Sequence, residues 1–261
     1  MTWATKRKLS YMLVVIAFIG ATGFLIIYPK YYNQAPSCTD NTQNGNETGV
    51  DCGGSCLLAC PAEVNAISIL WSRSFRVLPG RYNAVAYINN QNKNTAIYQI
   101  KYRFRFADQN NVYIGKREGT TFIPPTGHSA IFEGAIDMGN SVPIYTTFEF
   151  TETPTWIQVP SDKVNQLKVF PSNINLQDAT TSPRLSATVK NNSLFTIPEV
   201  SFVAILYDES HNAISASRTF VDELKGEESA NINFTWPEPI GGSTIATEII
   251  PMYDVFLATL K

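Results

Sequence analysis

The chain is short of the residues and motifs that carry out catalysis. Only two histidines are present, His128 and His211, and both lie in polar stretches typical of turns. No G-x-S-x-G, H-E-x-x-H, P-loop or G-x-G-x-x-G sequence occurs. Neighbouring acidic residues such as Glu227 and Glu228 fall in a predicted hairpin, where adjacency alone does not make a catalytic pair. The sequence therefore predicts that the protein is not an enzyme.

Charged residues are also scarce. They make up 16% of the chain, aromatic residues make up 12%, and the net charge is -2. A chain with this composition can bury a core and does not resemble a disordered protein. Nucleic-acid binding requires a basic surface that neutralises phosphates. The net negative charge therefore argues against nucleic acid as a partner.

One segment lacks charge altogether, the run from Leu9 to Tyr28, which directly follows Lys6-Arg7-Lys8. At about 1.5 Å of rise per residue, a helix of this length matches a hydrocarbon layer about 30 Å thick. The basic residues in front of it place the N-terminus in the cytoplasm. We therefore expect a single-pass anchor over residues 1–30, with the bulk of the chain periplasmic or extracellular. The alternative is a cleaved secretory signal that ends at Ala21-Thr22-Gly23, with the same destination.

Cysteine is absent from most of the chain, because all four cysteines lie close together at Cys38, Cys52, Cys56 and Cys60. An even number in an exoplasmic segment predicts two disulfides, and three pairings are open. A zinc site is the alternative, but the C-x13-C-x3-C-x3-C spacing lacks the usual C-x2-C pairs. Residues 31–61 have almost no periodic apolar pattern, so we expect a small cross-linked stalk module.

Helical periodicity is missing after residue 30, and a period of two replaces it. Along the segment 99–106, one face carries Ile100, Tyr102, Phe104 and Phe106, and the other carries Gln99, Lys101, Arg103 and Arg105. This alternation is typical of a half-buried strand in an antiparallel sheet. We interpret the basic row as a solvated face in preference to a docking stripe. Turn sequences between short apolar runs favour a β-sandwich.

The same layout recurs about 100 residues later. Ala84–Asn90 matches Ser186–Asn192, and both segments end in Asn-Asn. The four apolar residues of segment 99–106 match Val200, Phe202, Ala204 and Leu206. The repeat predicts two tandem domains, 62–160 and 161–261, with a boundary near Val159-Pro160-Ser161-Asp162. The predicted fold class is all-β, with two tandem antiparallel β-sandwiches behind a transmembrane helix and a disulfide-rich linker.

Two segments carry a resemblance to known proteins. The run Ala204-Ile205-Leu206-Tyr207-Asp208 resembles the FxLYD family of bacterial and archaeal extracellular domains, with Ala204 where that family has Phe. The first copy carries a complementary partial match, Phe104-Arg105-Phe106-Ala107-Asp108. That family is similar to the immunoglobulin-like sandwiches of WHy-type proteins. The resemblance implies this fold and an exoplasmic setting, and it supplies no catalytic residues.

The second resemblance is N-G-N-E-T-G-V-D-C-G-G, residues 44–54. It is similar to an "NGxETGVDCGG" motif of secreted and surface-anchored bacterial proteins, in which it usually lies beside β-sandwich modules. The departure is Asn41-Thr42, where a Gly-containing pair is common. This resemblance implies a location and no chemistry.

The same loop has the spacing of a calcium-binding loop. Counted from Asp40, oxygen-bearing side chains stand at positions 1, 3 and 5, Gly45 stands at 6 and Asp51 at 12. We consider a weak calcium site formed by Asp40, Asn44, Asn46 (through its backbone carbonyl) and Asp51. The alternative is an Asn- and Gly-rich turn held by disulfides.

Two functions of different classes follow from these observations. The first is a membrane-anchored structural or interaction protein that displays its sandwiches to a protein partner in the envelope or at the cell surface. The alternative is a ligand-binding accessory subunit of an envelope transporter or enzyme, with a pocket formed by loops. Apart from the possible calcium ion, neither function calls for a cofactor.

Overall fold

The structure is a computed structural model that describes residues 3–32 and 36–260. Residues 33–35, part of the predicted 31–61 module, lie outside the described residues, as do residues 1, 2 and 261. The chain divides into two compact units, Met1–Ser55 and Cys56–Lys261. The first unit begins with a long helix, α1 (Trp3–Tyr32). Its segment Trp3–Tyr28 has a mean hydropathy of 2.3 and is long and apolar enough to cross a membrane.

Helix α1 is apolar on all sides. Side chains around the whole helix are solvent-exposed, including Phe18 at 69% and Ile26 at 72%. A helix that is hydrophobic all round requires an apolar environment such as a membrane. The helix continues without a break through Ala21-Thr22-Gly23, where Thr22 Oγ1 donates to the carbonyl oxygens of Phe18 and Ile19. The prediction of an apolar N-terminal helix, signal or anchor, is confirmed.

The second unit contains two β-sandwiches in sequence order. Leu58 forms a bridge with Ile157, so the end of the predicted stalk module pairs with the first sandwich. After a 3₁₀ turn (Pro61–Glu63), its strands are β1 (Ser68–Leu78), β2 (Arg81–Asn90), β3 (Thr95–Ala107), β4 (Tyr113–Ile123), β5 (Gly127–Asp137), β6 (Tyr145–Phe150) and β7 (Ile157–Gln158). One sheet has the order β1-β2-β5, and the other has the order β4-β3-β6, with β7 also paired to β3.

The second sandwich repeats this plan. It follows the short helix α2 (Ser161–Gln166) and consists of β8 (Val169–Gln177), β9 (Arg184–Asn191), β10 (Phe195–Tyr207), β11 (Ala213–Leu224), β12 (Ser229–Thr235), β13 (Ala246–Met252) and β14 (Thr259–Leu260). The sheets have the orders β8-β9-β12 and β11-β10-β13, with β14 paired to β10. All pairings are antiparallel. The predicted fold class is confirmed.

The predicted alternation fits the observed cores. On β3, Phe104 and Phe106 are fully buried, whereas Lys101 and Arg105 are exposed. The equivalent residues of β10 are also buried: Val200, Phe202, Ala204 and Leu206. Each set lies in the hydrophobic core of its own sandwich. The period of two therefore identified the inward face of both strands correctly.

The observed match between β2 and β9 differs by one residue from the predicted match. Ala84, Ala86 and Ile88 of β2 lie in the first core, and their counterparts in the second core are Leu185, Ala187 and Val189. The predicted match aligned Ala84 with Ser186, which is exposed. The loop between β9 and β10 is one residue shorter than that between β2 and β3, so the two Asn-Asn pairs do not superimpose. Asn90 is therefore equivalent to Asn191 and not to Asn192, because a slip of one residue exchanges the faces of a strand.

A third buried cluster joins the two sandwiches. The outer face of sheet β1-β2-β5 packs against the outer face of sheet β11-β10-β13, so β2 and β10 are buried on both sides. Polar contacts cross the same interface, since Arg73 Nη1 donates to Ala213 O (3.1 Å) and Asn83 Nδ2 to Ala216 O (3.2 Å). The apolar contacts come from Phe75, Val85, Tyr87, Ala130 and Phe132 on one side and from Val203, Ile205, Ala213, Ala216, Ile250 and Met252 on the other.

Candidate functional site

The loop with calcium-like spacing is held together by its own hydrogen bonds. Asp51 Oδ1 accepts from the backbone N–H of Asp40 (2.9 Å) and of Asn41 (3.1 Å). Asp40 accepts from Thr42 N (2.9 Å) and from Asn44 Nδ2 (2.8 Å), and the bond from Asn44 keeps the pKa of Asp40 below its usual value. Both carboxylates therefore act as caps of a turn, and calcium binding here remains a prediction.

Asn46, the fourth residue of the predicted calcium site, has an exposed side chain. Its backbone carbonyl, the predicted ligand, faces Gly54, because a Cβ atom added to Gly54 would lie 1.6 Å from Asn46 O. Gly54 also has a left-handed φ of +55°. Only glycine fits this position, so the packing of the loop alone explains the glycine at residue 54.

The cysteines are all oxidised. Cys38, Cys52, Cys56 and Cys60, which are all the cysteines of the chain, are disulfide-bonded. The disulfide prediction is confirmed, and the zinc alternative is wrong because a thiolate is needed to bind zinc. Together with the apolar helix α1, the disulfides indicate a secreted or exoplasmic protein.

The two histidines and the basic row of β3 (Lys101, Arg103 and Arg105) all interact with neighbouring groups of the protein. His128 is exposed and packs on the ring of Tyr87, with 4.9 Å between ring centroids. His211 lies in a turn with a φ of 57°, and its backbone N–H donates to Asp208 O at 2.9 Å. Each member of the basic row makes an ion pair with an acidic neighbour: Lys101 with Glu152, Arg103 with Glu118 and Glu149, and Arg105 with Glu149.

A half-buried carboxylate links the two sandwiches across their interface. Glu248 of β13 accepts a hydrogen bond from Tyr87 Oη at 2.9 Å through Oε1 and from Tyr207 Oη at 2.8 Å through Oε2. Burial, followed by the hydrogen bond to Glu248, raises the pKa of both tyrosines. Trp71 stacks on Tyr87 at 5.3 Å. These contacts fix one sandwich against the other, and Tyr207 of the FxLYD-like run takes part in them.

Beside this interface the sandwiches leave a cleft of about 250 Å³. A β-bulge of the first sandwich and a residue with left-handed backbone in the second both contribute to it. In β3 the pairing with β4 shifts between Ile97 and Ile100, which sets Tyr98 out of register. At the equivalent place in β10, Glu199 has a φ of 50°. Bulges re-aim side chains and are over-represented beside functional sites. The lining includes Tyr98, Phe122, Pro198, Glu199, Asp254 and Leu257.

Asp254 is the chemically distinctive residue of the cleft. It lies in the loop after β13 and is 8% exposed. Its Oδ1 accepts a hydrogen bond from Phe256 N at 2.8 Å. Burial raises the pKa of Asp254, and the charge of Lys163 opposes that shift only in part. Lys163 Nζ donates to Ala258 O at 2.9 Å and makes no ion pair with this carboxylate.

A second depression of about 190 Å³ shares the stretch from Thr120 to Phe122 with the cleft. Arg218 lines it but is already engaged, because its Nη1 donates to Phe132 O (3.3 Å) and its guanidinium lies over the Phe132 ring at 5.1 Å. Tyr102 Oη donates to Glu133 Oε1 at 2.7 Å, and burial raises the pKa of Tyr102. Arg218 is therefore engaged within the protein. Among the described residues, the unpaired charged groups of this region are the carboxylates of Asp254 and Glu199 in the first cleft.

Comparison with known proteins identifies no family. No protein-family model matches the chain, and no curated protein matches it either. Membership in the FxLYD family is therefore not shown. A transglutaminase of red sea bream is similar over 74% of this chain, with 10% identity and a TM-score of 0.24, and a β-glucuronidase of glycoside hydrolase family 2 over 84%, with 8% identity and a TM-score of 0.20. The chain spans 30% of the transglutaminase and 28% of the glucuronidase.

Proposed function

We propose that the protein is a single-pass, membrane-anchored interaction protein that presents its two sandwiches, as one packed unit, to a protein partner in the envelope or at the cell surface. The observation that carries the proposal is the buried interface between the sandwiches. Two domains joined only by a flexible linker would bind independently, whereas domains that share a core hold their surfaces in a fixed arrangement. A fixed arrangement lowers the entropy lost on binding a partner.

The setting supports the same function. Helix α1 is long enough to cross a membrane, and the basic residues Lys6, Arg7 and Lys8 near its start favour a cytoplasmic N-terminus. The cross-linked cysteines require an oxidising compartment. The retained helix would then act as an anchor, and the sandwiches would lie on the exoplasmic side.

Topology is tested with tags at the two ends of the chain. Protease added to intact cells, or to cells with a permeabilised outer membrane where one exists, should remove a C-terminal tag and spare an N-terminal one. Mass spectrometry should find the segment from Leu9 to Tyr28 in the mature protein. A mature protein that starts after Gly23, or a protected C-terminal tag, would contradict the anchor.

The partner surface is tested with a photo-crosslinking amino acid in intact cells. Placed at Tyr98, which is 51% exposed in the cleft, it should capture a specific protein. The matched control is Val112, which is 57% exposed in the loop after β3, about 30 Å away along that strand. Equal capture at both positions would show that the cleft is not part of the contact surface.

The second candidate is the ligand-binding accessory subunit. The cleft favours it, since pockets between domains are common ligand sites. Its volume of about 250 Å³ lies below the ~300–1,000 Å³ of typical small-molecule pockets. A tightly bound small molecule that copurifies with the protein, and that is released by substitution of Tyr98, would favour this candidate over the first.

A further inference from the structure

We propose that the cleft between the sandwiches binds an organic cation, the guanidinium or ammonium group of a basic side chain on the protein partner. This inference rests on the proposed function for the source of the cation, and on the cleft itself for its chemistry. It concerns Asp254, Glu199 and Tyr98.

The charge of the cleft is the first reason. Two carboxylates, those of Asp254 and Glu199, line it, and none of the described residues that line it is a lysine, an arginine or a histidine. A carboxylate that is 8% exposed loses most of its hydration, so it gains from any cation that reaches it. An anion would be repelled, and a neutral ligand would leave this buried charge unpaired.

The free oxygen of Asp254 is the second reason. Oδ1 accepts from Phe256 N at 2.8 Å, whereas Oδ2 has no hydrogen-bond partner within the described part of the chain. The nearest internal cation, Lys163, is held by Ala258 O at 2.9 Å. A carboxylate in which one oxygen is fixed and the other is open presents a preorganised acceptor to an N–H donor.

The walls of the cleft suit the rest of a basic side chain. Tyr98 is 51% exposed and is held edge-on by Phe256 at 6.0 Å between ring centroids. An aromatic face attracts a cation placed over it. Pro198 and Leu257 supply apolar surface for an aliphatic stem. The volume of about 250 Å³ fits one such side chain better than a larger ligand.

The test compares two ligands of nearly the same shape, one with a cationic guanidinium and one with a neutral urea. Acetyl-arginine amide and its neutral isostere acetyl-citrulline amide are titrated into the full-length protein in detergent micelles and followed by ligand-observed NMR. We expect the arginine compound to bind at least about tenfold more tightly, because hydrogen bonds between charged groups are the stronger ones. Equal binding of the two compounds, or no saturable binding of the arginine compound, would overturn the proposal.

Variants then locate the site. Asp254→Asn keeps the acceptor for Phe256 N and should weaken arginine binding about tenfold, whereas Asp222→Asn, at an exposed position of β11, should not change it. If Asp254→Asn lowers the melting temperature, Glu199→Gln at the exposed rim provides the second variant, with a smaller loss expected. Unchanged binding in a folded Asp254→Asn protein would refute the assignment.

A third ligand identifies the source of the cation. Agmatine carries the same guanidinium group together with a primary amine and has no peptide backbone. Binding of acetyl-arginine amide at least as tight as that of agmatine supports a partner side chain, and a tenfold preference for agmatine overturns that source. If a partner is captured at Tyr98 but the arginine and citrulline compounds bind equally, the cation proposal is wrong and the proposed function stands. If the arginine compound binds selectively but no partner is captured at Tyr98, the cation site stands and the proposed protein partner is wrong.

Discussion

The buried asparagine at the end of β9 provides the sharpest test of the fold. Asn191 is 0% exposed, and its Nδ2 donates to Phe195 O (2.7 Å), Leu224 O (3.1 Å) and Lys225 O (3.0 Å). Its Oδ1 accepts from Ser193 N (3.0 Å) and Ser193 Oγ (2.6 Å). One side chain thus ties the end of β9 to the beginning of β10 and the end of β11. Asn191→Ala removes all of these bonds at once.

The expected loss follows from the groups that remain buried. An unsatisfied buried polar group costs about 1–3 kcal/mol, and the truncation leaves several such groups. Local relaxation and water entry compensate in part, so we expect about 3–5 kcal/mol, at the upper end of single substitutions. A loss of this size is a large fraction of the ~5–15 kcal/mol that stabilises a typical domain.

The assay is urea denaturation of the full-length protein in detergent micelles, followed by tryptophan fluorescence. Asn192→Ala is the matched control, because that side chain is exposed and the change should stay within about 0.5 kcal/mol. The first copy should show the same contrast between Asn90→Ala and Asn89→Ala, since Asn90 Nδ2 donates to two backbone carbonyls. If Asn192→Ala costs as much as Asn191→Ala, the one-residue offset between the copies is wrong.

Three further predictions concern the cleft, the interface and the core. Because burial raises the pKa of Asp254, the folded state holds this proton more tightly than the unfolded state, so stability should fall as pH rises from the unfolded value near 3.8 through the folded value. Asp254→Asn should flatten this dependence in melting curves recorded between about pH 4 and pH 7, and an unchanged slope would contradict it. Tyr87→Phe and Tyr207→Phe should each lower the free energy of unfolding by about 1–2 kcal/mol, because each loses a hydrogen bond to the Glu248 carboxylate. A double-mutant cycle should show coupling between the two substitutions through Glu248. Additive losses of stability would argue against a shared acceptor. Phe104→Asp should unfold the first sandwich, because it buries an unpaired charge. Lys101→Asp should cost less than about 1 kcal/mol, as for other exposed ion pairs. An equal loss of stability in both variants would place the two residues on the same face of β3.

The fold was predictable where a local pattern decides it. Strand β3 faces a core on one side and solvent on the other, so its alternation gave the inward residues directly. The disulfides followed from cysteine number and compartment. The alignment of the copies failed at Ala84 because matching apolar character does not resolve a one-residue change in loop length. The unbroken burial of Val85, Ala86 and Tyr87 explains the difficulty, since β2 has no solvent face to mark its register.

The cleft was not predictable from any single segment. Tyr98 and Phe122 lie on paired strands of the first sandwich, whereas Glu199 and Asp254 belong to the second, and only the docking of the sandwiches brings the two pairs together. Nothing in the sequence around Asp254 distinguishes it from other loop aspartates. A signal for the docking itself was present, because the continuous apolar run from Val203 to Leu206 is typical of a strand buried on both faces.

The interface also shows how two copies of one domain come to differ. The contact is not symmetric, because the first copy uses its sheet β1-β2-β5 and the second uses the other sheet, β11-β10-β13. A head-to-tail contact of this kind can in principle be repeated without limit, since each copy keeps one free face that matches a used face of its neighbour. Repeat proteins end such arrays with polar outer faces.

Both free faces carry that polar character. On the second copy, the positions equivalent to the interface residues Val85, Tyr87, Ala130 and Phe132 are Ser186, Thr188, Asn231 and Asn233. On the first copy, those equivalent to Val203, Ile205, Ile250 and Met252 are Arg103, Arg105, Glu149 and Thr151. The ion pairs of Arg103 with Glu118 and Glu149 therefore occupy a face that is apolar in the other copy. Stacking of a further copy on either face would bury these polar and charged groups without new partners, which is unfavourable. The basic row is therefore a solvated face, as predicted, and its charges have a physical role because they help to limit the stack to two sandwiches.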